Sequence, residues 1–175
     1  MMKKIYFLAF LFLLSGCGQK EGNRPEKSDA ADLNETLIKA NKQVVLSEDQ
    51  QIDDLLERYG WNMTETGTGL RYLIYKRGNG PSAQKGQQAT IRYNLRLISG
   101  DIVYSSDDLG PKQFTIGSGG VESGLEEAIL LMHLGDQAKV VIPSYLAFGL
   151  IGDQDRIPPK STLIYDIELI KLTNN

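Results

Sequence analysis

The residues able to do acid–base, nucleophilic or metal chemistry are few and far apart. His133 is the only histidine and Cys17 the only cysteine among 175 residues. A zinc site would have to come from carboxylates and that one imidazole. No Ser-His-Asp arrangement is suggested around His133, which reads as an exposed or capping residue near a helix end. Asp153 and Asp155 share a short acidic loop, but a calcium loop needs more oxygen donors at fixed spacing. Gly78, Gly80, Gly117, Gly119 and Gly120 match neither a P-loop nor a dinucleotide fingerprint and read as turn glycines. The sequence thus asks for no metal and no cofactor. What stands out instead is a set of apolar and aromatic residues, Tyr93, Tyr104, Phe114, Val121, Phe148, Ile157 and Tyr165, spread over several elements. Singly each would serve as core.

The elements that must position them begin near Gly60, because 15 of the 18 glycines and every aromatic beyond position 16 except Tyr59 lie from there on. Leu70–Arg77, Gln88–Ile98, Lys139–Ile142 and Thr162–Leu172 carry the branched and aromatic residues of strands. In the last of these, Leu163, Tyr165, Ile167 and Leu169 share one face and alternate with Asp166 and Glu168. Only Gly124–His133 reads as a helix in this region, with Leu125, Ala128, Ile129 and Met132 on one stripe and Gly135 as its stop. Strands not separated by regular helices argue against a parallel sheet. The expected class is α+β: a mostly antiparallel sheet wrapped against one short helix, with a helical appendage before it.

The front of the chain has a different composition. Twelve of the first 16 residues are apolar or aromatic, and Lys3 and Lys4 precede an unbroken apolar run from Ile5 to Leu14. Ten apolar residues are too few to cross a bilayer as a helix, which takes about 20, so 1–16 reads as an export signal. Leu14-Ser15-Gly16-Cys17 resembles the bacterial lipobox, which implies cleavage before Cys17 and acyl chains on its thiol. The expected protein is a lipoprotein held outside the cytoplasm on a bacterial cell membrane. Without the signal, 17 basic residues face 22 acidic ones, which leaves no basic excess for nucleic acid. Residues 17–32 read as a disordered tether and 33–66 as the appendage, leaving 67–175 for the sheet domain. Two helices are expected in the appendage. One carries Leu33, Leu37 and Val44 on a stripe; the other is announced by Ser47 and Gln50 in capping-box positions and carries Ile52, Leu55, Leu56 and Tyr59. That second stripe must be covered, either by its own domain or by a second copy in a homodimer.

From about Thr68 to Thr173 the chain resembles the FKBP-type peptidyl-prolyl isomerases. The motifs come in order: Gly69-Leu70-Arg71-Tyr72, Tyr93, Gly100-Asp101 beside Tyr104-Ser105-Ser106, and Gly124-Leu125-Glu126-Glu127. Met132, Gly135-Asp136-Gln137-Ala138-Lys139, Ala147-Phe148-Gly149, Ile157-Pro158-Pro159 and the final strand complete them. The resemblance implies rotation of X-Pro peptide bonds in polypeptide clients, with no covalent intermediate. It implies a catalytic set of Tyr93, Tyr104, Phe148 and Tyr165. Substrate contacts would come from Val103, Phe114, Val121, Leu125 and Ile157, and the backbone of Glu122 would donate a hydrogen bond to the ligand.

The departures from the family pattern are part of the reading. Its Phe-Asp-Ser-Ser appears as Val103-Tyr104-Ser105-Ser106, its pocket-floor tryptophan as Leu125, its ligand-contacting tyrosine as Phe148, and a rim aromatic as Lys112. These imply modest catalysis, and that Tyr104→Asp would raise the rate. They also frame the alternative, a binding module that keeps the fold without turnover. Within the family, ADLNETLIKANK and Tyr59-Gly60-Trp61-Asn62-Met63 look closest to the gliding-motility-associated FKBP-like lipoproteins.

Overall fold

The computed structural model describes residues 27–174. The signal segment 1–16, Cys17 and most of the expected tether lie outside the described residues. The described part opens with a helix, α1 (Lys27–Tyr59), followed by strands β1 (Thr64–Glu65), β2 (Arg71–Lys76), β3 (Gln88–Leu97) and β4 (Ile102–Ser105). A short helix α2 (Ser106–Leu109), strand β5 (Lys112–Thr115), helix α3 (Ser123–Leu130), strand β6 (Gln137–Ile142), a 3-10 turn (Ser144–Leu146) and strand β7 (Leu163–Thr173) complete it. The seven strands form one sheet in the order β1-β2-β6-β7-β3-β4, with β5 paired to β3, and every pair is antiparallel.

Alternation decides which face is buried. Leu163, Tyr165, Ile167 and Leu169 of β7 and Ala89, Ile91, Tyr93 and Leu95 of β3 point to one side, where Leu125, Ala128 and Ile129 of α3 and Met132 just beyond it cover them. Burying such side chains contributes roughly 1.5–3 kcal/mol each, so this layer is the principal core. Helix α3 stops at Leu130 and does not reach His133. The backbone turns at Leu131, and Gly135 adopts φ 92°, a conformation a side chain would resist. His133 sits beyond the helix, half exposed, with its N–H on Asp136 at 2.8 Å. Strands β4 and β5 were not apparent from the sequence, since four residues with polar members give too little alternation.

The described residues fall into two units, divided between Lys39 and Ala40. In the first, Leu33, Leu37 and Ile38 are exposed on the helix surface, and Glu35 pairs with Lys39 at 2.7 Å. In the second, Ile52 and Leu55 are buried at 0% and 2% exposure against Val141 and Ile164 on the outer face of the sheet. Their own domain thus covers this part of the stripe. Leu56 is partly buried, while Tyr59 is exposed and stacks on Trp61 at 4.8 Å.

Two expectations about this region need correction. Ser47 and Gln50 do not begin a second helix: α1 passes through both, and Gln50 donates to Asp54 one turn on. A capping box requires a non-helical residue at its start, and no Gly or Pro interrupts the segment. Residues 27–32, read as tether, are helical. They contain Ala30 and Ala31 and no breaker, so polarity alone was a poor guide there.

Candidate active site

The expected site residues come from six places in the fold, and most gather around the start of α3. Tyr93 stands on β3, Val103 and Tyr104 on β4, Lys112 and Phe114 on β5, and Tyr165 on β7. Val121 and Glu122 precede α3, Leu125 lies in its first turn, and Phe148 and Ile157 belong to the β6–β7 connection. All but Glu122 and Lys112 belong to the core cluster or pack on it.

Local chemistry fixes several of these positions. On the edge of β3 between its pairings with β5 and β4, the Ser106 hydroxyl serves Tyr93, accepting from its N–H at 2.9 Å and donating to its C=O at 3.2 Å. Ser105 caps α2, its hydroxyl accepting from Asp108 N–H. Ile157 is aimed by Asp153, whose Oδ1 accepts from the N–H groups of Asp155 and Ile157 at 3.0 and 2.7 Å. Gly152 is required at this turn. Its φ is 67°, and a Cβ there would lie 2.1 Å from the Ile157 carbonyl oxygen.

A cleft of about 410 Å³ opens here, lined by Lys112, Gly119, Gly120, Val121, Glu122, Ala147 and Phe148. Tyr93, Leu125, Ile157 and Tyr165 are buried next to it rather than along its open wall. The rings of Tyr93 and Tyr165 lie 6.0 Å apart at 50°, a favourable tilted contact. A more polar hollow of about 240 Å³, lined in part by Tyr75, Arg92, Asn94 and Glu168, also touches Tyr93. Its charged walls suit a proline ring less well.

The site also carries charge that the sequence did not reveal. The Tyr165 hydroxyl donates to Glu122 Oε1 at 2.8 Å. Lys112 Nζ stands 3.9 Å from Glu122 Oε2 and 5.3 Å from the centre of the Tyr93 ring, a cation–π contact. Burial, then the charge of Glu122 and its hydrogen bond, push the Tyr165 phenol well above its ordinary value. Burial and Glu122 also raise Tyr93. The side chain of Glu122, expected only for its backbone, thus holds Tyr165 by a hydrogen bond and Lys112 by an ion pair. Among the described residues its backbone N–H donates to no protein acceptor, as a ligand-binding donor requires.

Tyr104 is placed differently from expectation. Its hydroxyl turns to the β6–β7 connection, donating to Asp153 at 2.5 Å and Asp155 at 3.2 Å, so it ties β4 to that connection. Arg156 reinforces the tie, donating to the Val103 carbonyl at 3.0 Å and lying 5.4 Å from the centre of the Tyr104 ring. The Asp153 hydrogen bond, with burial and Asp155 behind it, pushes the Tyr104 phenol up to about 12. Burial works to raise the Asp153 carboxyl, but the Tyr104 hydroxyl and the backbone N–H groups outweigh it and hold it below the ordinary range. The phenol therefore brings acidic groups to this edge.

Comparison with known proteins shows the family. Residues 80–170 match the family model described as FKBP-type peptidyl-prolyl cis-trans isomerase. That span holds every site residue named above and more than half of the chain. The chain belongs to this family. It is 40% identical over 112 residues to the Arabidopsis thaliana protein named peptidyl-prolyl cis-trans isomerase FKBP16-3, chloroplastic, covering 61% of this chain and 50% of that one. The Drosophila melanogaster peptidyl-prolyl cis-trans isomerase Fkbp12 is 36% identical over 106 residues, 59% of this chain and 98% of that one. A crystal structure of a peptidyl-prolyl cis-trans isomerase from Pseudomonas syringae aligns with a TM-score of 0.65 at 28% identity, covering 76% of this chain and 96% of that one. The chain thus spans half the length of its plant relative but nearly all of the fly protein.

Proposed function

We propose that this protein catalyses cis–trans rotation of X-Pro bonds in polypeptides outside the cytoplasm, tethered by acyl chains on Cys17. The observation that carries the reading is the cleft at the start of α3, with Tyr93, Leu125, Ile157 and Tyr165 buried beside it and a Glu122 N–H that donates to no backbone acceptor among the described residues. The barrier to rotation is about 18–20 kcal/mol because resonance keeps the amide planar and polarised. A poorly hydrated apolar site disfavours that polarised form. Contacts that fit the twisted amide better than the planar one then lower the barrier without acid, base or metal.

A second reading, a binding module without turnover, is favoured by Lys112. Its ammonium lies over the Tyr93 face that a proline ring would use and is held there by Glu122. The catalysed cis-to-trans relaxation of a short prolyl peptide, measured on the full chain, separates the two. Acceleration supports the enzyme. Peptide binding with an uncatalysed rate supports the module.

The lipoprotein part of the proposal rests on Leu14-Ser15-Gly16-Cys17, and no described helix is long and apolar enough to cross a membrane. Cys17→Ser should abolish acyl labelling and membrane partition; unchanged partition would refute the tether. We assign the protein to service of surface or gliding-motility machinery on its likeness to lipoproteins of that kind. Pairing of two copies is supported by the exposed Leu33, Leu37 and Ile38.

A further inference from the structure

Glu48 lies on α1, 32 residues before the family match begins, yet it is buried to 8% exposure and its carboxylate touches the β6–β7 connection at both ends. Glu48 Oε1 accepts from the Ser144 N–H at 2.7 Å and from the Thr162 hydroxyl at 2.6 Å, and Oε2 accepts from the Ser144 hydroxyl at 2.9 Å. Ser144 is the second residue after β6 and Thr162 the last before β7. Between them run Ala147 and Phe148 of the cleft wall, Asp153 and Asp155 on Tyr104, and Ile157. One side chain therefore holds both feet of the segment that carries a large share of the site.

We infer that Glu48 is a positioning residue for the prolyl site, acting through Ser144 and Thr162 on the connection 143–162. The proposal rests on the isomerase reading for its rate effect. Three donors meet two carboxylate oxygens, an arrangement that leaves no polar atom of the clamp unsatisfied. Without it two buried hydroxyls and a buried N–H must find other partners, and the closed ends of the connection can separate. Displacement of about 1 Å at a binding wall can cost on the order of a hundredfold in rate.

Glutamine should substitute well. Its amide oxygen can accept from Ser144 N–H and Thr162, while its NH2 donates to the Ser144 hydroxyl oxygen. The test compares Glu48→Ala, Glu48→Gln and Leu55→Ala in the full chain, where Leu55 docks α1 on the sheet without touching the connection. Prolyl-peptide kcat/KM, Tm and amide hydrogen exchange across 143–162 are measured for each. Glu48→Ala should lose roughly tenfold or more in kcat/KM and lose exchange protection in 143–162. Glu48→Gln should restore both, and Leu55→Ala should lower Tm while leaving both near wild type. A folded Glu48→Ala with wild-type rate and exchange would overturn the proposal, as would a Leu55→Ala variant with the same losses.

If Glu48→Ala does not fold, Thr162→Val removes one donor at nearly constant shape, and unchanged exchange in 143–162 would likewise overturn it. An inactive wild type would count against the isomerase reading alone. The exchange comparison then still decides whether Glu48 holds the connection.

Discussion

The hydroxyl of Tyr165 donates to the carboxylate of Glu122 at 2.8 Å, with both residues buried. Tyr165→Phe should therefore leave a buried carboxylate short of a donor, at a cost of about 1–3 kcal/mol. Replacing Glu122 by leucine in the same chain should recover most of that loss, because no charge then remains to be satisfied. Urea unfolding of the two single variants and the double variant measures the coupling. A neutral Tyr165→Phe would mean that Lys112 alone satisfies Glu122.

Tyr104→Asp should lower both stability and rate, the reverse of what the family pattern suggests. An aspartate there would face Asp153 and Asp155 and lose the phenol that bridges them. A hydrogen bond to a charged acceptor contributes about 1.5–3 kcal/mol, discounted here toward about 1 kcal/mol because the group is only partly buried. Chemical unfolding and the prolyl assay on the two chains test this, and a faster Asp variant would refute it.

Stability should fall on the alkaline side through two tyrosines. Tyr104 is held at about 12, chiefly by its hydrogen bond to Asp153, and Tyr165 well above its ordinary value, chiefly by burial. The unfolded chain releases these protons near pH 10 while the folded chain keeps them. Their stabilisation is thus complete below about pH 10 and is lost as pH rises through the folded values. Thermal melts across this window should show Tm falling, less steeply in Tyr104→Phe. At the acid end Asp153, held below its ordinary value, contributes stability that disappears as pH falls through its folded pKa.

A chain beginning near Gly67 should keep the inner core but lose stability. Ile52 and Leu55 would no longer cover Val141 and Ile164, and two such buried side chains contribute roughly 3–6 kcal/mol together. Circular dichroism should show a folded sheet with a lowered midpoint. A midpoint equal to that of the longer chain would mean that α1 adds nothing to the domain.

What the sequence revealed depended on how local the signal was. Strands β3 and β7 are long enough to read as strands, and Leu163, Tyr165, Ile167 and Leu169 of β7 face the core as expected. The wall residues were legible through family motifs. The partners that set their chemistry were not: Tyr104 reaches Asp153 across 49 positions, Tyr165 reaches Glu122 across 43, and Glu48 reaches Thr162 across 114. No spacing rule links residues so far apart. Ser47 and Gln50 misled because a capping box looks the same whether or not the preceding turn is helical.

The sheet order has a consequence for how the protein is made. Strand β7 lies between β6 and β3, so β3 gains its principal neighbour only after 65 further residues have been synthesised. At roughly 5–20 residues per second that interval is about 3–13 s. Throughout it the nascent chain presents unpaired strand edges and a bare apolar face, a state prone to association. A protein proposed to ease slow steps in the folding of others therefore has a slow, non-local closing step of its own.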